Sequence, residues 1–538
     1  MGPDRAEGDS PREIAAFAVG PSPDPRPMLG SAPVRAIALV AALAACRGGE
    51  SNPERRTLID SRDNYDPRSL DPALATDVPS GRAVGYLYDG LVRFTPDGLT
   101  YTFHLRGGVK FHDGTALTAR HVVASFRRLL DPATRSGSGE LFQGIRGARA
   151  FVAKQSTELP GVTARDDSTV TITLEEPLSF FPKLLAMPAA SIVPLDAGAD
   201  LSAKPIGTGP WKLVEWKHDD YVRFARNDAY WGGAPQAESL LARIIPEQST
   251  AVAEFESGNV DILTVPEAET RRWEETDERS ARLVSAPALR MWYVGINTTR
   301  GALADVRVRR ALNLAVDRAT ILKQLISNRG SLAAGVIPPS LDGADAARQP
   351  YPFDSLRARQ LLAEAGHANG VALELWHSAT APSPRLAQTI QAYLQAAGFR
   401  ITLVQREAAA MRAAARKGET DLVLKDWFAD YPDAENFLYP LLHSRNKGSG
   451  GNVSFYQSAR YDRVVSEARR TTSDSSRIAM YRQADQIAFD EAPMIFLWFY
   501  NELYALQPWI QNFEVPVIFN GQAMTRVEIR RTAQPAAR

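Results

Sequence analysis

The strongest constraint on the fold of this chain is an alternation of strand-like and helix-like segments in its C-terminal half. Strands that are separated by helices favour a parallel sheet, because each crossover helix returns the chain to the same edge of the sheet. We predict a mainly parallel sheet with covering helices, formed by the strands Val371–Trp376, Arg400–Val404 and Asp421–Phe428 and by the helices Leu386–Ala397 and Met411–Lys417.

The N-terminal half has a different character and is mostly strand-like. Tyr101–Leu105 and Thr169–Leu174 alternate apolar and polar residues, which is the period of a half-buried strand. Lys212–Trp216 and Tyr221–Ala225 have the pattern of a strand pair around a polar turn. The change along the chain predicts two lobes, one rich in β structure and mostly N-terminal, the other α/β and spanning roughly residues 290–500.

Three helix starts are marked by side chains that accept hydrogen bonds from the first turn. Thr118 precedes a run whose apolar residues fall on one helical face. Asp305 precedes a predicted helix over Val306–Val316, and Asp354 precedes another that ends at Gly366.

Length and charge limit the classes of function. The chain has 538 residues, which normally divide into two or three domains. Lys plus Arg and Asp plus Glu each number 62, so the formal net charge is zero. A balanced charge argues against nucleic acid or an anionic membrane surface as the main partner, since either favours a basic face.

Cys46 is the one cysteine, so no internal disulfide can form. It follows the short apolar stretch Ala36–Ala45, and the sequence Leu43-Ala44-Ala45-Cys46 resembles a bacterial lipobox, in which the cysteine is acylated and becomes the first mature residue. We predict that residues 1–45 are a leader and signal peptide that is removed, with residues 1–27 outside the usual signal pattern and suggestive of a mis-assigned start. Residues 46–56 then tether a protein that is lipid-anchored at Cys46 on the extracytoplasmic face, or periplasmic side, of the membrane.

Signatures of catalysis are missing from the sequence. It has no phosphate-binding loop of the Walker type, no HExxH zinc helix and no GxSxG nucleophile elbow. Gly207-Thr208-Gly209 lacks a third glycine and is interpreted as a tight turn, and His104 and His112 are interpreted as structural. We therefore predict a protein that is not an enzyme, with no catalytic residues, no metal site and no cofactor.

A series of short motifs occurs in a fixed order along the chain, and together they are far more specific than any one of them. They are Leu70–Ala73, Leu87–Val92, Tyr101–Arg106, Val109–Gly114, Gly207–Trp211, Tyr230-Trp231, Asp305–Leu312, Ala315–Arg318 and Trp427–Asp433. From about Thr57 to Phe519 the chain resembles the family 5 extracellular solute-binding proteins, of the oligopeptide- and dipeptide-binding type.

The resemblance implies a fold and a domain order. It implies an α/β, two-lobed clamp like that of periplasmic binding proteins, of type II in the large cluster with an extra subdomain, with mixed sheets and covering helices. Lobe I would comprise residues 57–289, with a subdomain inserted at about 90–205, and lobe II residues 290–500, before residues 501–530 return to lobe I. The chain would cross between the lobes near Pro287–Tyr293 and Pro493–Tyr504.

The resemblance also implies a function without catalysis. Such a protein captures short peptides in the cleft between the lobes and delivers them to the permease subunits of an ABC transporter. We expect a monomer that contacts the membrane only through its N-terminal lipid and binds no nucleic acid.

Asp430 is the main candidate for ligand binding. It follows the predicted strand Asp421–Phe428, and ligands bind beyond the carboxyl ends of strands in open α/β sheets. Peptide-binding relatives place an aspartate here in a Trp-x-Ala-Asp-Tyr motif, where it pairs with the α-amino group. We extend the predicted ligand site to Trp427, Ala429 and Tyr431.

One position departs from the resemblance and keeps alternatives open. Some oligopeptide-binding relatives have an arginine six residues before this aspartate, whereas this chain has Leu424, with Lys425 on the opposite face of the strand. The sequence therefore has no cationic side chain at this position that would capture a peptide carboxylate. The alternatives are a binding protein of the same fold for a metal chelate, an opine or an oligosaccharide, a sensor that docks on a receptor, and a periplasmic hydrolase.

Overall fold

The structure is a computed structural model, and it describes residues 57–89, 99–197, 201–202, 204–275, 282–380, 382–448, 451–518 and 523–530. The predicted leader, Cys46 and the tether lie outside these residues. Within them, an eleven-stranded sheet runs in the order β12-β11-β13-β9-β14-β8-β1-β7-β6-β5, with β10 paired to β14. A three-stranded sheet has the order β2-β4-β3, and β15 pairs with β16.

The strands and helices have the following bounds. The strands are β1 Thr57–Asp63, β2 Thr100–His104, β3 Val162–Ala164, β4 Thr169–Thr173, β5 Trp211–Lys217, β6 Tyr221–Arg226, β7 Ser239–Ile244, β8 Ile262–Thr264, β9 Leu283–Ile296, β10 Gly330–Leu332, β11 Ala372–Ser378, β12 Arg400–Arg406, β13 Leu422–Phe428, β14 Met494–Leu506, β15 Ile510–Gln511 and β16 Glu528–Ile529. The α-helices are Val78–Leu87, Ala119–Leu130, Ala148–Val152, Phe181–Leu184, Gln248–Glu256, Glu267–Glu274, Val306–Ala315, Arg318–Leu325, Ser355–Glu364, Ser383–Ala396, Ala408–Arg416, Glu435–Leu442, Ala459–Arg470 and Asp474–Glu491.

The predicted parallel strands are present. β11 pairs in parallel with both β12 and β13, and the helices Ser383–Ala396 and Ala408–Arg416 connect them. The sheet is nevertheless mixed, because β13 pairs with β9 in the antiparallel direction. The carboxyl ends of three parallel strands therefore meet at one edge, next to an antiparallel neighbour.

Two long strands connect the halves of the molecule. β9 and β14 pair antiparallel along most of their length, and β14 also pairs with β8. Their register shifts between Phe496 and Trp498 and again between Phe499 and Asn501. These irregularities fall within the two crossing segments predicted from the resemblance, but the predicted domain bounds themselves stay a prediction.

Buried apolar side chains form clusters on either side of these crossings. One pair of clusters, which we call the core of the C-terminal lobe, draws on residues 289–500 and covers the two faces of β9, β13 and β14. In β9, Met291 and Tyr293 enter one cluster and Trp292 and Val294 the other, as the period of two in a strand requires. The clusters of the N-terminal lobe lie mainly before β9 and after residue 503.

The three-stranded sheet has a core of its own. Its cluster draws almost entirely on residues 73–192, including the helix Ala119–Leu130. We call this part the small-sheet subdomain. Tyr431 is the exception in its cluster, because it comes from the C-terminal lobe.

Several of the sequence motifs meet around the carboxylate of Asp89. It accepts hydrogen bonds from Thr208 Oγ1 at 3.0 Å, from Tyr230 OH at 3.2 Å and from Trp231 Nε1 at 2.8 Å. Burial raises the pKa of Asp89, and these three donors oppose the shift. These hydrogen bonds therefore join three of the motifs to one another.

The Gly207-Thr208-Gly209 segment runs directly against the backbone of the first α-helix. A Cβ on Gly207 would lie 1.9 Å from Leu87 O, which no side chain can accept. Gly209 N donates to Leu87 O at 2.9 Å, and His112 N donates to Gly207 O at 2.8 Å. The glycines therefore permit a close backbone approach, and His112 has structural partners.

No helix within the described ranges is long and apolar enough to cross a membrane. In the same part of the chain, no three His, Cys, Asp or Glu side chains come together in a way that would hold a metal ion.

Candidate ligand-binding site

Asp430 lies just beyond the carboxyl end of β13, where the parallel strands end. The backbone is fixed on both sides of it. Ala429 N donates to Leu289 O of β9 at 2.8 Å, and Asp430 N donates to Asn436 Oδ1 at 2.9 Å. Asn436 belongs to the helix Glu435–Leu442, so that helix and the sheet together position the aspartate.

The carboxylate of Asp430 has an unusual environment. It is half-buried, and Asn436 Nδ2 donates to its Oδ2 at 3.5 Å. Burial raises the pKa of Asp430 to about 6, and only the contact with Asn436 opposes this. Among the described residues no cationic side chain forms an ion pair with it, so Asp430 is an acceptor that suits an external ammonium group.

Trp427 lies on the face of β13 that carries Lys425, and its side chain packs partly against the core of the C-terminal lobe. It is half-buried, and its Nε1 has no hydrogen-bond partner among the described residues. A buried N–H group without an acceptor costs free energy. An acceptor on a ligand would remove that cost.

Ala429 and Tyr431 have buried side chains. Ala429 packs in the core of the C-terminal lobe. Tyr431 stacks on Phe180 of the small-sheet subdomain, with ring centroids 5.8 Å apart and an interplanar angle of 6°, and its hydroxyl donates to Glu435 Oε2. Both residues shape the loop around Asp430, and their predicted contact with a ligand stays a prediction.

The two faces of β13 separate Leu424 from Lys425, as the sequence predicts. Leu424 is fully buried among the apolar residues of one face. Lys425 lies on the other, with Nζ 5.9 Å from the centre of the Tyr293 ring. Burial lowers the pKa of Lys425 to about 8, with nearby Asp426 opposing the shift. Because Leu424 is apolar and fully buried, it cannot bind a ligand carboxylate.

A cluster of three charged side chains near the end of β13 is not predicted by the sequence. Arg290, opposite Phe428 in β9, has Nε 2.8 Å from Asp426 Oδ2 and Nη1 3.5 Å from Glu502 Oε1. Burial alone would lower the pKa of Arg290, but the two carboxylates raise it above its ordinary value. Pairing between β9 and β13 brings these charges together, and no local motif indicates it.

Replacing Asp430 with asparagine is expected to stabilise the ligand-free protein at pH 7 by about 1–3 kcal/mol. The raised pKa means that the folded protein holds a proton more strongly than the unfolded chain. Asp430 therefore favours folding below its unfolded pKa and loses that contribution as the pH rises through about 6. Urea denaturation at pH 7 measures the change.

The matched control for this substitution is Asp426→Asn, four residues earlier. It removes the nearer partner of Arg290 and should destabilise the protein by about 1 kcal/mol. Equal destabilisation by both substitutions would contradict the assigned environment of Asp430.

The two-lobed fold that carries this candidate ligand site at the ends of its parallel strands is also found in solved structures of periplasmic binding proteins. The chain is similar to the ABC transporter-associated periplasmic binding protein DppA from Helicobacter pylori in complex with the peptide STSA, with 27% identity, a TM-score of 0.76, and coverage of 88% of this chain and 98% of that one. The murein tripeptide binding protein MppA of Escherichia coli has 26% identity, the same TM-score, and coverage of 88% and 99%. The protein is thus a two-lobed clamp of the periplasmic solute-binding class.

Sequence comparison gives the family. Residues 69–449 match the sequence model of bacterial extracellular solute-binding proteins, family 5, middle region, and the chain belongs to this family. It is 31% identical over 427 residues to the dipeptide-binding protein of Escherichia coli, covering 74% of this chain and 78% of the relative. Heme-binding protein A of Haemophilus influenzae is 32% identical over 424 residues, covering 74% and 76%. These relatives are binding proteins and not enzymes, so a role in binding is confirmed in general terms.

Proposed function

We propose that this protein captures short peptides and that Asp430 receives their α-ammonium group. The observation that carries the proposal is the half-buried Asp430 carboxylate, which has a raised pKa and no cationic partner among the described residues. An ammonium group placed beside it would supply the missing charge and satisfy the carboxylate. The dipeptide-binding relative and the peptide-bound neighbour support the same class of ligand.

Trp427 fits the same ligand. Its unpartnered Nε1 would donate to a carbonyl or carboxylate oxygen of the peptide. The peptide backbone would be held by main-chain hydrogen bonds in the manner of an added strand, so that side-chain identity matters less than the free amino end.

We further propose that the protein delivers its ligand to an ABC permease from the extracytoplasmic side, as a monomer. The neighbour from Helicobacter pylori is ABC transporter-associated, which supports this role. Attachment through a lipid on Cys46 rests on the Leu43–Cys46 sequence alone.

A second candidate is a non-peptide solute bound in the same clamp. The observation that favours it is Leu424, which is buried in the apolar core at the position where some oligopeptide-binding relatives have an arginine. One similar protein is named heme-binding protein A, so the ligands named for relatives of this chain include a compound that is not a peptide.

Calorimetry with trialanine, N-acetyl-trialanine and haemin distinguishes the two candidates. We expect trialanine to bind, its acetylated form to bind much more weakly and haemin not to bind. Trialanine should also reduce the radius of gyration, because hinged lobes close around a ligand. Binding of haemin alone would favour the second candidate, and equal binding of both peptides would remove Asp430 from the recognition of the amino group.

A further inference from the structure

The loop that carries Asp430 is held from the other side by the small-sheet subdomain. We call the meeting of Glu176–Lys183 with Tyr431–Glu435 and Arg469 the interlobe contact. Phe180 stacks on Tyr431 with ring centroids 5.8 Å apart, and both rings are almost fully buried. Because Tyr431 directly follows Asp430, this stacking fixes the chain next to the candidate ligand site.

Lys183 supplies the charged part of the interlobe contact. Its Nζ donates to Pro432 O at 2.8 Å and to Asp433 Oδ2 at 2.6 Å. Arg477 Nη1 donates to the same oxygen at 2.9 Å. Burial would raise the pKa of Asp433, but the two cations lower it below its ordinary value, so this carboxylate is ionised and paired across the lobes.

A backbone hydrogen bond and a cation–π contact also cross the boundary, and both involve Arg469, which is paired with Glu435 inside the C-terminal lobe. Ser179 N donates to Arg469 O at 3.0 Å. Arg469 places its Nε 2.8 Å from Glu435 Oε1 and its guanidinium 5.1 Å from the centre of the Phe180 ring. Glu435 in turn accepts from the Tyr431 hydroxyl, so Arg469 connects the small-sheet subdomain to the far end of the loop through Glu435.

The parts that meet here have separate cores, and the charged edge of their boundary is partly open to solvent. Apart from Tyr431, the cluster around Phe180 belongs to residues 73–192, whereas the Asp430 loop is attached to the core of the C-terminal lobe. The Lys183 side chain is 39% exposed, and a cavity of about 110 Å³ lined by Lys183, Asp433 and Arg477 lies beside it. An ion pair that is open to water has little net stability, so it can separate and form again.

We propose that the interlobe contact forms only when the lobes close and that Lys183 and Phe180 then position the loop bearing Asp430. Amino-group recognition is thereby coupled to closure. The coupling rests on the proposed function, whereas the making and breaking of the contact does not. In the open protein the loop lacks one of its two supports.

Hydrogen exchange at single residues tests the making and breaking without any ligand. The amide of Ser179 is bonded across the lobes, whereas that of Thr173 donates to Gly161 O at 2.8 Å within the small-sheet subdomain. In the ligand-free protein we expect the protection factor of Ser179 to be at least about tenfold below that of Thr173. Equal protection of the two amides would overturn the proposal.

Adding trialanine at saturation should raise the protection of Ser179 and leave that of Thr173 unchanged. If trialanine does not bind the parent protein, the proposed function fails for this peptide, and the exchange result in the ligand-free protein still decides whether the contact opens. If trialanine binds and the protection of Ser179 does not rise, the proposed coupling is wrong.

Substitution of Lys183 tests its positioning role. Lys183→Met should speed dissociation of trialanine about three- to tenfold and leave association and ligand-free thermal stability unchanged. Lys183→Arg should restore most of the loss, because it keeps the charge. The control is Lys217→Met, which removes a 2.6 Å ion pair with Asp220 elsewhere on the surface and should change nothing. If Lys183→Met lowers the stability of the ligand-free protein, or if Lys217→Met speeds dissociation equally, Lys183 has only a structural role and the positioning role is wrong.

Discussion

Asp430→Asn is expected to weaken the binding of a short peptide by roughly thirtyfold to several thousandfold. Asparagine keeps the size and shape of the side chain and removes its charge. The α-ammonium group would then enter a site with no anion beside it, and an unpaired charge that is partly removed from water is costly. Calorimetry of trialanine binding to the parent and the variant measures the loss.

N-acetylation of the peptide provides the second change of a double-mutant cycle. Acetylation should weaken binding to the parent by a similar factor and add little further loss in Asp430→Asn, because both changes delete the same interaction. Penalties that add fully across the four combinations would show that Asp430 and the amino group do not meet. The stability measurement is an independent control, since the same variant is expected to be more stable without ligand.

Peptide affinity is expected to fall about fiftyfold between pH 6 and pH 4. Burial raises the pKa of Asp430 to about 6, with Asn436 opposing the shift and no charged side chain contributing to it. Only the ionised carboxylate attracts an ammonium group, so affinity should fall about fivefold from pH 6 to pH 5 and about tenfold from pH 5 to pH 4. Above about pH 8 affinity should fall again as the α-amino group loses its proton.

The Asp430→Asn variant separates this titration from other effects of acid. Its peptide affinity should be nearly independent of pH between 4 and 7, because the group that titrates has been removed. Calorimetry across this range, with the folded state checked at each pH by circular dichroism, gives both profiles. A parent profile that stays flat down to pH 4 would contradict the raised pKa, and an unchanged slope in the variant would assign the titration to another group.

Local sequence patterns predicted the elements that depend on local physics. Thr118, Asp305 and Asp354 each start a helix as predicted, and the two aspartates accept hydrogen bonds from the first-turn amides of Arg307 and Arg357. These features need only neighbours in sequence, which is why a pattern of a few residues indicates them.

The hydrogen-bond and ion-pair partners around the candidate site could not be predicted from local sequence patterns. Nothing local marks Asn436 as the partner of Asp430, Arg469 as the partner of Glu435, or Lys183 as the partner of Asp433. Such pairs join segments up to 250 residues apart. The pair Lys183–Asp433 joins the small-sheet subdomain to the C-terminal lobe, whereas the other two pairs form where segments of the C-terminal lobe pack together.

The sequence by itself determined that β11, β12 and β13 are parallel, because the alternation of strands and crossover helices is a local pattern. The same pattern located Asp430 beyond the end of a strand. The ordered set of motifs determined the family. Only the tertiary structure decided the state of Asp430. Its raised pKa comes from burial, and burial depends on which segments pack around the loop. The same packing buried Ala429 and Tyr431, because apolar surface is removed from water wherever the fold brings it together. It also left Asp430 half-buried, with no cationic partner among the described residues.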